Sequence, residues 1–227
     1  MKKILTIIPA RKNSKRLPGK NVKLFNGLPL IEHTIKLANN LPNEYDVVVS
    51  TDDSTIQQIA EKYERVSFFL RPDELAADES PAIDYVNYTL SLLKDEYEAV
   101  LILQPTSPFT LMEDISACVK LFKEKKPATV VSVVKVNHMY HPDKFKLLVD
   151  DGILKDYFGE EKATAYQFMA EVHVRNCSIY LSHIDTIKKL NKIIAEPCLG
   201  YEMPAERSID INDQLDFDFA EFLLTRY

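Results

Sequence analysis

Short apolar runs alternate with segments of helical spacing along most of this chain, and that rhythm restricts the fold more than any other feature. Residues 4–8, 46–50 (DVVVS), 99–103 (AVLIL) and 129–136 (TVVSVVKV) read as strands. Their continuous apolar character suits strands buried on both faces. Residues 67–70 read as a further short strand. Between the strands, Leu30, Ile31, Thr34, Ile35 and Ala38 follow helical spacing, as do Ile56, Ile59, Ala60 and Tyr63. Residues 83–93 and 115–122 are helical in the same way. Strands that alternate with helices form βαβ units, and right-handed crossovers place helices on both faces of a parallel sheet. The expected class is α/β: a Rossmann-like three-layer αβα sandwich with a mostly parallel sheet.

The rhythm stops after Val136. Residues 138–172 mix polar, aromatic and histidine residues without a period, and an insertion over about 138–175 is expected within a single domain spanning 1–227. It reads as a small β element that covers a site or pairs with a second copy. Its aromatics, among them Tyr140, Phe145, Tyr157, Phe158, Tyr166 and Phe168, form either a dimer surface or a local satellite core. Residues 177–181 return to strand character. Asn212 or Asp213 is expected to cap a last helix with Leu215, Phe219, Phe222 and Leu223 on its buried face.

Several partners and settings are disfavoured. The formal net charge of −6 makes the chain a poor non-specific binder of nucleic acid. No apolar run approaches the roughly 20 residues that cross a bilayer, so no membrane partner is expected. The apolar stretch after Lys2 and Lys3 stops at Pro9 without a small-residue cleavage site and reads as a first buried strand. Cys118, Cys177 and Cys198 are scattered and form no CxxC pair, which argues against a zinc site or disulfide framework and for a reducing cytoplasm.

Any positive charge toward an anionic ligand must therefore be local. The loop from Pro9 to Asn21, PARKNSKRLPGKN, directly follows the first strand and carries Arg11, Lys12, Lys15, Arg16 and Lys20. Ligands of open α/β sheets bind beyond the carboxyl ends of strands, and arginine and lysine suit phosphate oxygens. Gly19 lets backbone approach a phosphate. The loop is neither GxxxxGK[ST] nor GxGxxG. By residue type alone it is either a phosphate cradle or a solvated basic loop. Gln104, Thr106 and Ser107 follow the AVLIL strand, either as hydrogen-bonding groups for a ligand or as a self-capping QPTSP turn. Asp210 and Asn212 are two residues apart; in an extended stretch both face one side, and an oxygen pair there suits Mg²⁺.

The segment IPARKNSKRLPGKN resembles the N-terminal signature of the acylneuraminate cytidylyltransferase family, with an RLPGK-like stretch also present in the related 3-deoxy-manno-octulosonate cytidylyltransferases. STDD (50–53), RPDELAAD (71–78), LQPTSPF (103–109), RNCSIY (175–180) and SIDIND (208–213) follow in order, so the resemblance covers nearly the whole chain. It implies a nucleotidyltransferase that joins CTP to a sialic-acid-like sugar, with Mg²⁺ as cofactor, as a cytoplasmic homodimer. The alternatives are an eight-carbon sugar cytidylyltransferase and a catalytically weakened nucleotide-binding homologue.

The resemblance also implies residue roles. Arg11, Lys20 and Asn21 hold the triphosphate, and Arg71 reads cytosine beside Ala10. Gln104, Thr106, Ser107, Lys144, Gln167 and Asn176 meet the sugar. Asp210 and Asn212 hold the metal, so that Arg11, Lys20 and Asp210 form the catalytic set. Three positions depart from the family pattern. Asn212 stands where a second acid is usual. Tyr166 stands where an arginine often precedes Gln167, so Arg175, another subunit or a different sugar answers for the missing charge. Cys177 stands where a glycine usually follows Asn176.

Overall fold

The computed structural model describes residues 3–77, 79–159 and 169–226. In chain order its elements are β1 (Lys3–Ala10), β2 (Leu24–Phe25), β3 (Leu28–Pro29), α1 (Leu30–Asn39), β4 (Tyr45–Thr51), α2 (Ser54–Ala60), β5 (Val66–Leu70), α3 (Asp73–Ala76), α4 (Ala82–Ser91), β6 (Tyr97–Leu103), α5 (Met112–Lys125), β7 (Thr129–Lys135), β8 (Lys146–Leu148), β9 (Leu154–Asp156), β10 (His173–His183), α6 (Ile184–Leu190), β11 (Cys198–Glu202) and α7 (Gln214–Leu224). A seven-stranded sheet has the order β11-β7-β10-β6-β1-β4-β5. Neighbouring strands are parallel except for β10, which runs against both β6 and β7.

Alternation along β1 divides the core. Ile4 and Ile8 pack on one face with Ile31 and Ile35 of α1, Ile56 of α2 and Phe122 of α5. Leu5 and Ile7 pack on the other with Tyr85 and Val86 of α4 and Ile187 of α6. Successive side chains of a strand point to opposite faces, so a continuous apolar run builds both cores, and the three-layer α/β arrangement follows. Among the described residues no helix is long and apolar enough to cross a membrane.

A third apolar cluster positions the site. Leu17 from the basic loop, Phe25 of β2, Leu30 of α1, Ile211 from the acidic segment, and Phe217 and Ala220 of α7 are buried together. Phe25 meets Phe217 edge to face at 5.8 Å and Phe109 at 5.9 Å. Burying each of these large side chains stabilises the fold by about 1.5–3 kcal/mol. The cluster thereby brings the basic loop and the acidic segment together, although they lie at opposite ends of the chain.

The insertion leaves the sheet between β7 and β10. Its neck is closed by Val136, whose N–H donates to the Val172 carbonyl at 2.8 Å, and it carries the antiparallel β8–β9 pair.

Some expectations are corrected. α7 turns Phe217 and Ala220 inward, while Leu215, Phe219 and Phe222 are exposed and Leu223 is half-buried. This helix is apolar nearly all round, so spacing could not select a face; the Phe25 ring does. Of the two expected caps it is Asp213 that serves, accepting from the Asp216 N–H. Residues 208–212 form no strand of the sheet. They are held by Ile211, whose N–H donates to the Thr106 carbonyl at 2.8 Å. Between the basic loop and α1 the chain also forms the β2–β3 pair.

Candidate active site

The basic loop is built to hold one shape. Gly19 has φ of 65°, a left-handed conformation that glycine adopts without penalty, and a turn follows in which Val22 and Lys23 donate to the Gly19 carbonyl. Asn21 ties the end of the loop to its start by donating from Nδ2 to the Arg11 carbonyl at 3.1 Å. Asp52, at the exit of β4, accepts from the Lys12 N–H at 2.7 Å, and Asp53 caps α2 through the Thr55 N–H. Asp52 thus sits at a strand end and pins the loop.

Lys20 is buried, and its Nζ donates to the Ile211 carbonyl at 2.6 Å. Burial holds its ammonium below the ordinary lysine range; Arg16 and Arg11 push the same way, and Asp210 and Asp216 oppose them. The cationic loop and the acidic segment therefore feel each other directly. They also share a cleft of about 610 Å³, lined by Arg11, Lys20, Asn21, Gln104, Thr106, Asp210 and Asn212 among others. Its position at the carboxyl ends of β1 and β6 is where ligands of open α/β sheets sit.

Arg71 is buried rather than lying on the surface. It donates to the Ser50 carbonyl at 2.7 Å and lies 4.6 Å over the Tyr85 ring. Desolvation lowers its pKa, and both Asp52 and Arg11 act on it, which puts it behind the basic loop. Ala10 and Ser107 are buried and do not line the cleft; the Ser107 hydroxyl has no partner among the described residues. Asn176 is also buried behind the cleft. Its amide accepts from Ser132 Oγ at 2.6 Å and donates to Ser208 Oγ at 2.8 Å, so it fastens β10 to the run leading into Asp210. Lys144 lies half-buried in the insertion, outside the cleft lining. Gln167 and Tyr166 lie outside the described residues.

Two groups of contacts to which no role was assigned complete the site. Tyr180, the last residue of RNCSIY, lines the cleft. Arg207 donates to the fully buried Asp114 at 2.6 Å, and Tyr201 Oη donates to the same carboxylate at 3.0 Å. That clamp anchors the chain three residues before Asp210.

The donor set fits Mg²⁺ through Asp210. This ion commonly takes one or two carboxylates and fills its shell with phosphate oxygens and water. Asn212 is oriented by its two neighbours: Nδ2 donates to Asp210 Oδ2 at 2.8 Å, and Oδ1 accepts from Arg16 at 2.7 Å. Its amide oxygen is therefore directed to Arg16, and the residue couples the cationic loop to the Asp210 carboxylate.

The sequence matches the cytidylyltransferase family over residues 5–217. The chain belongs to the cytidylyltransferase family. Within it, the chain is 33% identical over 219 residues to an N-acylneuraminate cytidylyltransferase of Escherichia coli O18:K1:H7 (strain RS218 / NMEC), a match covering 96% of this chain and 51% of that protein. This chain thus spans about half the length of that relative. It is 34% identical over 227 residues to the CMP-N,N'-diacetyllegionaminic acid synthase of Legionella pneumophila subsp. pneumophila (strain Philadelphia 1), covering 98% of this chain and 96% of that one. A solved CMP:2-keto-3-deoxy-manno-octonic acid synthetase, complexed with CTP, superposes with a TM-score of 0.73 over 99% of both chains at 15% identity. That likeness supports the cytidylyltransferase fold.

Cys177 carries a measurable consequence. It lines the cleft with φ of 61°, inside a register shift of β10 between Arg175 and Tyr180. A left-handed conformation costs a side-chain-bearing residue about 1–2 kcal/mol, and glycine's larger unfolded-state entropy offsets part of that. Cys177→Gly is expected to raise stability by about 0.5–1 kcal/mol, read as a higher urea midpoint with an unchanged slope. A lower midpoint would show that the thiol's contacts outweigh the backbone strain.

Proposed function

We propose that this chain transfers a cytidylyl group from CTP to an acidic sugar of the sialic-acid type, giving a CMP-sugar and pyrophosphate. One observation carries the reading: Arg11, Lys20 and Asp210 line the same cleft. The sugar's anomeric oxygen attacks the α-phosphorus in line, forming the new O–P bond. The bond from that phosphorus to the bridging oxygen breaks, pyrophosphate leaves with the electron pair, and the hydroxyl proton passes to solvent. Such chemistry depends on positioning and on neutralising charge.

Each residue then has a task. Arg11 and Lys20 offset the triphosphate charge, and Asn21 keeps the loop closed around it. Arg71, held by the Ser50 carbonyl and the Tyr85 ring, reads cytosine together with Ala10. Gln104, Thr106 and Ser107 serve the sugar, together with Lys144 and Gln167 from the insertion, while Asn176 acts by holding the wall of the cleft. Asp210 holds Mg²⁺, which when bound supplies further positive charge at the phosphates; Asn212 orients Asp210.

The chain is proposed to act in the cytoplasm as a homodimer. Leu148, Leu154, Tyr157 and Phe158 stand exposed on and beside the β8–β9 pair, and a concentration of exposed apolar side chains supports an interface there. Leu148→Asp together with Leu154→Asp is expected to shift the sedimentation coefficient from dimer to monomer; an unchanged dimer would place the interface elsewhere.

The test of function is pyrophosphate release from CTP and Mg²⁺ with a panel of nonulosonic acids and 3-deoxy-manno-octulosonic acid. Release with a nine-carbon acid is expected, and release with the eight-carbon acid alone would assign the other sugar class. Calorimetric CTP binding with no release for any sugar would support a weakened nucleotide-binding homologue, a reading that Asn212, Tyr166 and Cys177 motivate.

A further inference from the structure

A histidine and two glutamates converge where the insertion joins the sheet. His173 opens β10, Glu171 precedes it by two residues, and Glu202 closes β11. These strands are not neighbours; β7 lies between them. His173 pairs with Lys135 of β7, and Glu202 pairs with Val133. Val133 and Lys135 are two apart on one strand, so all four side chains leave the same face of the sheet. His173 Nε2 stands 2.7 Å from Glu202 Oε2 and 3.8 Å from Glu171 Oε1, and the three candidate ligand atoms lie within 4.8 Å of one another. Lys135 Nζ takes the other Glu171 oxygen, Oε2, at 3.0 Å, which leaves Oε1 on the side of the histidine. No spacing along the chain announces the group, because Glu202 lies 29 residues from His173.

We propose that Glu171, His173 and Glu202 bind a divalent cation of the zinc class, with water completing its shell. Imidazole and carboxylate ligands lie about 2.0–2.2 Å from zinc, and so about 3.4 Å apart in a tetrahedron. The observed 2.7 and 3.8 Å bracket that spacing. All three residues are exposed, so small side-chain rotations bring them to the ion and water reaches its open positions. The ligating imidazole gives the Nε2 lone pair to the metal and keeps its proton on Nδ1. An imidazole in the set favours zinc over magnesium or calcium, which prefer shells of oxygen alone. Lys135 is the outer partner that ligating carboxylates commonly have. The bound ion fastens β11 to β10 across β7. It does so beside the Val136–Val172 hydrogen bond that closes the neck of the insertion, and thereby holds the base of the insertion on the sheet. None of the three ligands lines the nucleotide cleft, so the inference stands independently of the cytidylyl reading.

The experiment titrates Zn²⁺ alone, by calorimetry, into the whole chain after treatment with a chelator. Excess Mg²⁺ is present throughout to occupy sites made of oxygen ligands. A zinc site is expected that His173→Ala and Glu202→Gln each weaken by about tenfold or more, while Asp210→Asn in the cleft leaves it unchanged. Co²⁺ in place of Zn²⁺ should give visible d–d absorption without a thiolate charge-transfer band, which separates this site from the cysteines. Saturating Zn²⁺ should slow amide exchange at residues 133–136 and 172–174 by about tenfold or more, and should not do so in His173→Ala. Absence of Zn²⁺ binding, binding that neither substitution moves, a thiolate band, or exchange that Zn²⁺ leaves unaltered overturns the inference. Pyrophosphate release from CTP is a separate readout, and its failure would overturn the cytidylyl reading without touching this one.

Discussion

Lys20→Met is expected to lower kcat/KM by roughly 10²–10³-fold, the range seen when one preorganised charge-stabilising group is removed. Methionine keeps the length and apolar stem of lysine, so the turn after Gly19 and the Leu17 contacts persist. What disappears is a cation held by burial and by the Ile211 carbonyl, facing a cleft that also carries Arg11 and Asp210. Stability gives an independent readout. The folded-state pKa of Lys20 lies below the ordinary 10.5, so the unfolded chain holds that proton more tightly. The resulting penalty is present in full below the folded-state pKa and fades as pH rises toward 10.5. The wild type should therefore gain stability relative to Lys20→Met as pH is raised from neutrality, in paired urea melts. A variant with near-normal turnover would remove Lys20 from the phosphate site. A stability difference independent of pH would contradict its burial as a cation.

Asp114→Ala is expected to destabilise the fold by about 3 kcal/mol, within the range for breaking a buried ion pair. The carboxylate is fully buried and receives Arg207, the Tyr201 hydroxyl and the Leu111 N–H. Alanine leaves the phenol unpaired and strands part of the guanidinium. Glu113, 3.1 Å from Arg207, retains some pairing, which keeps the cost at the lower end. The clamp also fixes the run that enters Asp210. Loss of kcat/KM should therefore exceed what the unfolded fraction accounts for, even in conditions where the variant is folded. Asp114→Asn, which retains one acceptor oxygen, should recover part of both effects. A change in the urea midpoint equivalent to less than about 0.5 kcal/mol would mean that Arg207 and Tyr201 find other partners.

The fold was readable where one physical signal dominated. Continuous apolar runs at 4–8, 46–50 and 99–103 admit few structures other than doubly covered parallel strands, and they occupy the centre of the sheet. β11 was not readable: CLGYE has neither a continuous apolar run nor alternation, because it sits at an edge and pairs with β7 alone. α7 was placed correctly but rotated wrongly, since apolar residues surround it and only the distant Phe25 chooses its inner face. In the site, the basic loop stood out because its charges contrast with an acidic chain. Asp210 and Asn212 stood out by their spacing. The clamp of Asp114 on Arg207 left no trace, because it joins residues 93 apart that carry ordinary surface-type charges. The buried state of Arg71 was equally hidden, since an arginine before a proline reads as surface until Tyr85 is seen beneath it.

The most direct measurement is the position of the nucleotide in a crystal of the chain grown with CTP and Mg²⁺. The triphosphate should lie between Arg11 and Lys20, with density for a cation joining it to Asp210. A triphosphate bound elsewhere, such as among Lys123, Lys126 and Lys189 at the opposite end of the sheet, with the cleft left to solvent, would contradict the account.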